Sequence, residues 1–336
     1  MYNLSIKVVV IVETSEHNTL WEGYFSSYRK VASPHRKPSL FKWLYDSYKR
    51  LYLSCVSPSD VYRLADLKAC LALVDTAIDD ACDNEFLIKM NGGDKFSYEM
   101  LSMLYNADRV TSGDYIPLQP AAGNNTYAKI TLDIFSDLLG THVISLPRYN
   151  EFRGEFFLAM RNVAGSMEFS YLVNRNKVAY PYYIVVRNKG PSTMVEVLSI
   201  LDLMASESFD ASELGKAIAL FRMADVVAML NNAVNTWKKE IIERDYSSPV
   251  ISLALEKKIV KFSDFEKVDV KNMEENLSPL PEIINGELNR TILVMKEFVE
   301  NYEIKSFDAL KYIDNYKTYA FESQRKNEEV CQRQIA

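Results

Sequence analysis

Glycine and proline are scarce in this chain, 11 of each in 336 residues. Such sparse punctuation argues against many short strands joined by tight turns and leaves long helices as the natural alternative. Cysteine is scarce too. Cys55, Cys70, Cys82 and Cys331 show no C-x-x-C spacing and too low a density for a disulfide scaffold, so they are read as reduced thiols of a cytoplasmic protein. Basic charge is not in excess: 39 Lys and Arg stand against 45 Asp and Glu, a net charge of −6, and no basic stripe supports binding to nucleic acid. The opening MYNLSIKVVVIVET lacks a basic leader and a small-residue cleavage site, and no later apolar run approaches a spanning length, so neither secretion nor a membrane span is expected. No linker, charge block or internal repeat divides the chain.

What remains is helical periodicity. Residues 1–30 read as an extended arm or short strand, with β-branched residues concentrated from Ile6 to Val12, and residues 31–336 as a single α-helical domain. Leu40, Leu44, Tyr48 and Leu51 recur as one apolar helix face. The next segment opens on Ser57 as N-cap and Pro58 at the first helical position and runs to about Asn84. Gly190 and Pro191 should break a later helix. About ten helices with no βαβ alternation imply an all-α fold.

Two polar rows on those helices stand out. DDACD places Asp79 and Asp83 on one face with Asp80 beside them, and carboxylates this close repel unless a cation such as Mg²⁺ neutralises them. The plainer alternative is a solvated acidic helix end. In LNNAVNTWKKE, Asn232, Thr236 and Glu240 repeat at i, i+4 and i+8, a line of oxygen donors holding metal more loosely than the aspartates would. Lys239, just before Glu240, offers a point charge to a phosphate; a merely polar helix face is the competing reading. Arg187 precedes the break at Gly190, where a guanidinium can grip diphosphate oxygens and freed backbone groups can address a substrate.

In order and spacing these elements resemble the class I terpene synthases of the single-domain microbial type, over about residues 40–325. The resemblance matches Asp79, Asp80 and Asp83 to the family's DDxxD motif and Asn232, Thr236 and Glu240 to its metal-binding triad. It likewise makes Lys239 the lysine before the glutamate and Arg187 the diphosphate-sensing arginine, and KEIIERDYSSPVISL is similar to the run that follows the triad. Three positions depart: Ala233 replaces the usual Asp, the N-terminal segment differs, and Lys317, Tyr319 and Arg325 are candidates for the C-terminal Arg-Tyr pair.

The resemblance implies a helical bundle around one deep cavity and three Mg²⁺ ions, with Mn²⁺ as an alternative. It further implies a linear prenyl diphosphate substrate, farnesyl or geranylgeranyl diphosphate foremost, ionised by diphosphate loss and cyclised as a carbocation; a homodimer is compatible with it. No general acid is then required of His17, His35 or His142. Helical phase nominates Ala72 and Thr76 ahead of the aspartates, and Met229 and Asp225 ahead of the triad, as pocket wall. Gly190 at the break and Phe156, Phe157 and Met160 on a long aromatic helix complete the candidates. The runner-up is a chain-elongating prenyl diphosphate synthase, which carries a second aspartate-rich motif where this chain has NNAVNTWKKE. A helical interaction protein without catalysis is the third reading.

Overall fold

A computed structural model describes residues 19–32, 36–117, 125–266 and 269–335, with side chains as far as residue 324. Among the described residues the elements are helical and no strand occurs. In chain order the α-helices are α1 (Leu20–Tyr28), α2 (Pro38–Tyr48), α3 (Val61–Asp83), α4 (Glu85–Met90), α5 (Asp94–Tyr105), α6 (Ala107–Ser112), α7 (Thr126–Asp137) and α8 (Tyr149–Asn176). They continue as α9 (Tyr182–Lys189), α10 (Val195–Ala205), α11 (Leu214–Glu243), α12 (Pro249–Glu256), α13 (Val270–Leu277), α14 (Leu280–Asn301) and α15 (Ala309–Ile335).

The central helices are those that are apolar on every side, as a helix surrounded by others must be. Every residue of α10 is buried, and α3 is buried from Val61 to Cys82 on more than one face. One cation sits inside α3. The Lys68 ammonium donates to Asp202 Oδ2 of α10 at 2.8 Å and to the Leu51 carbonyl at 2.9 Å, and Asp202 also accepts the Leu53 N–H. Both side chains are almost fully buried, so burial pushes the lysine down and the aspartate up, and the pair staples the α2–α3 link to α10.

Several expectations change here. Leu20–Tyr28 is helical rather than extended: Asp66 of α3 accepts the Leu20 and Trp21 N–H groups, and Trp21, Phe25 and Tyr28 are buried. That helix is therefore part of the bundle rather than an arm; Ile6–Val12 lies outside the described residues, as do His17 and His35. Helix α3 starts at Val61, with Ser57–Asp60 forming a turn. By length and composition α11 alone among the described helices would suit a membrane, yet over half of its most apolar window is packed inside the bundle.

The chain does break after Lys189. Gly190–Thr193 forms a 3₁₀ turn and Met194 takes φ of 59°, a left-handed conformation uncommon without glycine. Asp225 of α11 holds this break, its Oδ1 accepting the Val195 N–H at 2.8 Å and the Thr193 hydroxyl at 2.9 Å.

Candidate active site

Helices α3 and α11 each send a row of side chains into one cavity of about 410 Å³, within the range of about 300–1,000 Å³ usual for small-molecule sites. From α3 come Ala72, Asp75, Thr76, Asp79 and Asp83; from α11 come Ala228, Asn232, Thr236, Lys239, Glu240 and Glu243. Along both helices the lining turns from apolar to charged toward the C-terminus. The C-terminal ends, where the helix dipoles are negative and favour cations, therefore serve the same end of the chamber. The apolar side is completed by Leu40, Leu44 and Tyr48 of α2, Met194, Val195 and Leu198 at the break and in α10, and Tyr316 and Tyr319 of α15. Trp43 stacks on Tyr319 at 5.1 Å between ring centres and fixes its face.

A larger vestibule of about 930 Å³ adjoins this chamber. Arg36, Asp79, Asp83, Lys239, Glu243 and Asp245 line both spaces and so form their partition.

Negative charge dominates the inner chamber. Six carboxylates, Asp75, Asp79, Asp83, Glu240, Glu243 and Asp245, face three cations, Arg36, Lys189 and Lys239, which leaves three formal negative charges. Burial pushes Asp79 above its usual range, with Arg36 opposing, and pushes Asp75 and Asp83 well above it, with Asp79 adding repulsion. Asp83 meets solvent through the vestibule, yet the protein mass around it still disfavours its charge. Burial also raises Glu240, against the pull of Lys189. Its oxygens are fixed by the Thr236 hydroxyl at 2.6 Å and the Ser248 hydroxyl at 2.5 Å.

The donors fit Mg²⁺ chemically: all are hard oxygens in charge excess, and Asp75 Oδ1 is buried with no hydrogen-bond partner. Among the described residues no three carboxylate, imidazole or thiolate groups close into one nest, and Asp80 is turned toward Arg36. It lines the vestibule and accepts Arg36 Nε at 2.9 and 3.1 Å, Arg36 Nη2 at 2.5 Å and the Tyr28 hydroxyl at 3.2 Å.

The basic group delivered by the helix break is Lys189. Its ammonium donates to Asp245 Oδ2 at 2.8 Å and Ser247 Oγ at 3.0 Å. Burial would lower this lysine, but Asp245, Glu240 and Asp83 outweigh it and hold it above its usual range. Burial would likewise raise Asp245; Lys189 and hydrogen bonds from Ser247 and Asn174 reverse that and hold it below. Arg187 is exposed and lines neither space.

Of the other expected residues, Ala72, Thr76 and Tyr319 line the chamber, and Lys239 lines both spaces. Met229 is buried but off the chamber, its place taken by Ala228; at about 100° per residue, i−4 lies nearer the Asn232 face than i−3 does. Asp225 and Gly190 belong to the break rather than the wall. Phe156, Phe157 and Met160 are core residues on α8, with the two rings edge to face at 5.5 Å. Lys317 is exposed over the Phe321 ring, and the Arg325 side chain lies outside the described residues.

Arg36, Asp75, Lys189 and Tyr316 were not singled out from sequence. Lys189, directly before Gly190, and Asp245, in the run after the triad, carried a readable signal; Arg36 carried none. Comparison with protein-family models finds no match to the chain, nor does comparison with curated proteins.

Proposed function

We propose that this chain is a divergent class I terpene synthase, its all-α bundle the fold of that class, acting on a linear prenyl diphosphate. The observation that carries the reading is the convergence of the α3 and α11 rows on one chamber that is charged at one end and apolar and aromatic at the other. That polarity matches an amphiphile with a diphosphate head and a hydrocarbon tail.

Asp79, Asp83, Asn232, Thr236 and Glu240 would hold Mg²⁺, with Asp80 joining once it leaves Arg36. Bound there, the ions would supply positive charge that offsets the diphosphate and eases its departure. The protein's own residues do the rest. Lys189 and Lys239 place positive charge at the head end, where the diphosphate departs without a general acid. Leu40, Leu44, Met194 and Leu198 keep water from the allylic cation. The rings of Tyr48, Tyr316 and Tyr319 offer it their faces, each worth on the order of 0.5–2 kcal/mol.

The test is incubation with geranyl, farnesyl and geranylgeranyl diphosphate and Mg²⁺, with diphosphate release measured and products separated by gas chromatography and mass spectrometry. Cyclic or rearranged hydrocarbons or alcohols are expected, and none in chelator. Absence of release from all three substrates would refute the reading. Longer prenyl diphosphates formed only when isopentenyl diphosphate is added would move the protein to the chain-elongating class.

A further inference from the structure

The Asp80 carboxylate lies apart from Asp79 and Asp83 in what it faces. It is nearly buried, and the Arg36 guanidinium engages both of its oxygens. The Tyr28 hydroxyl adds a second partner; its oxygen lies 3.3 Å from that of Tyr127, which donates to the Ala77 carbonyl at 2.8 Å. A two-pronged guanidinium contact of this kind is among the stronger hydrogen-bonded ion pairs. Arg36 reaches it from the segment between α1 and α2, far from both motifs in sequence, and lines the partition between the two spaces.

We infer that Arg36 is a positioning residue that acts as a resident counter-ion for Asp80 and is exchanged for a divalent cation when the acidic row is loaded. The inference rests on reading the two rows as cation sites. Its physical basis is charge conservation in a poorly solvated place. A nearly buried carboxylate needs a cation, so neither an empty Asp80 nor one carrying two counter-charges is favoured, and guanidinium and metal compete for the same oxygens. An ion that binds at Asp80 must displace the Arg36 guanidinium, so the α1–α2 segment and that ion are energetically linked, and the link is reciprocal.

The experiment measures binding of Mn²⁺ alone to the full-length protein, from the electron paramagnetic resonance signal of the free ion. Arg36→Gln should bind Mn²⁺ about tenfold more tightly than the parent, inside the roughly 5- to 150-fold span of coupled sites. Arg36→Lys, which keeps charge but loses the fork, should fall between, and remains informative if the Gln variant does not fold. In an Asp80→Asn background the Arg36 effect should vanish. Equal or weaker binding by both Arg36 variants would overturn the inference and leave the proposed function standing. Failure of every form to bind Mn²⁺ would overturn both. Tightened binding with no turnover of any prenyl diphosphate would support the exchange while refuting the synthase.

Discussion

Lys189→Met separates a basic group inside the chamber from one that merely sits near it in sequence. The Lys189–Asp245 pair is 14% and 12% exposed at its two side chains. Removing one partner of a buried pair costs about 3–5 kcal/mol because the other charge stays behind, and the residual exposure places this pair near 3. Unfolding entropy of about 2.1 cal/mol/K per residue gives about 0.7 kcal/mol/K for this chain, so Tm should fall by about 4 °C. The pH dependence carries the sign. In the parent Asp245 is held below its ordinary value, so its contribution is present above the unfolded carboxylate range and is lost as pH falls through the depressed value. Without Lys189, burial acts unopposed by that ammonium and raises Asp245, so the variant loses stability as pH rises through the carboxylate range. The gap in Tm should therefore be widest near about pH 7, narrow as pH falls toward about 4, and close only below that, where Asp245 of the parent is protonated as well. Arg187→Met, at an exposed position, should stay within about 0.5 kcal/mol of the parent. Thermal melts of both variants across that range decide it. Equal shifts, or a Lys189 gap independent of pH, would refute the placement.

Burial holds Asp75, Asp79, Asp83 and Glu240 above their ordinary values, so in chelator their contribution makes the protein lose stability as pH rises above the unfolded carboxylate range. Mg²⁺ at 100 times its dissociation constant should restore about 2.7 kcal/mol near neutrality, and an unchanged melt with Mg²⁺ would count against the site. Ala228→Phe should fold normally and shift the product mixture or the accepted chain length, because it fills the chamber. Met229→Phe should instead cost about 1–3 kcal/mol by overpacking the core; the reverse pattern would show the α11 face to be misassigned. Lys68→Met should cost about 3–5 kcal/mol by stranding Asp202, and adding Asp202→Leu should recover most of it; an additive double variant in denaturant melts would argue that the two do not interact.

The parts of this protein legible in its sequence are those set by local periodicity. Scarce glycine and proline, the break at Gly190–Pro191 and the two polar rows are all properties of short stretches, and each reappears at its place in the fold. Phase was harder. Met229 and Ala228 differ by one residue on α11, and at about 100° per residue that single step turns the side chain from the chamber into the core. Aromatic content was ambiguous for a related reason: Phe156 and Tyr316 are both large apolar-faced side chains, and burial against α8 neighbours or against a cavity is a tertiary outcome. Arg36 marks the limit. Its partner lies 44 residues away, and no spacing rule connects a residue between helices to a carboxylate on the next helix but one.

The Lys68–Asp202 staple also imposes an order of assembly. The two residues are 134 positions apart. At synthesis rates of about 5–20 residues per second, the lysine emerges roughly 7–27 s before its aspartate has been made. During that interval α3 cannot settle into a dry core without stranding an ammonium there, so the centre of the bundle has to stay hydrated until α10 arrives. A nascent chain cut short before Asp202 keeps that defect permanently. The ion pair thus ties closure of the centre to the presence of both α3 and α10.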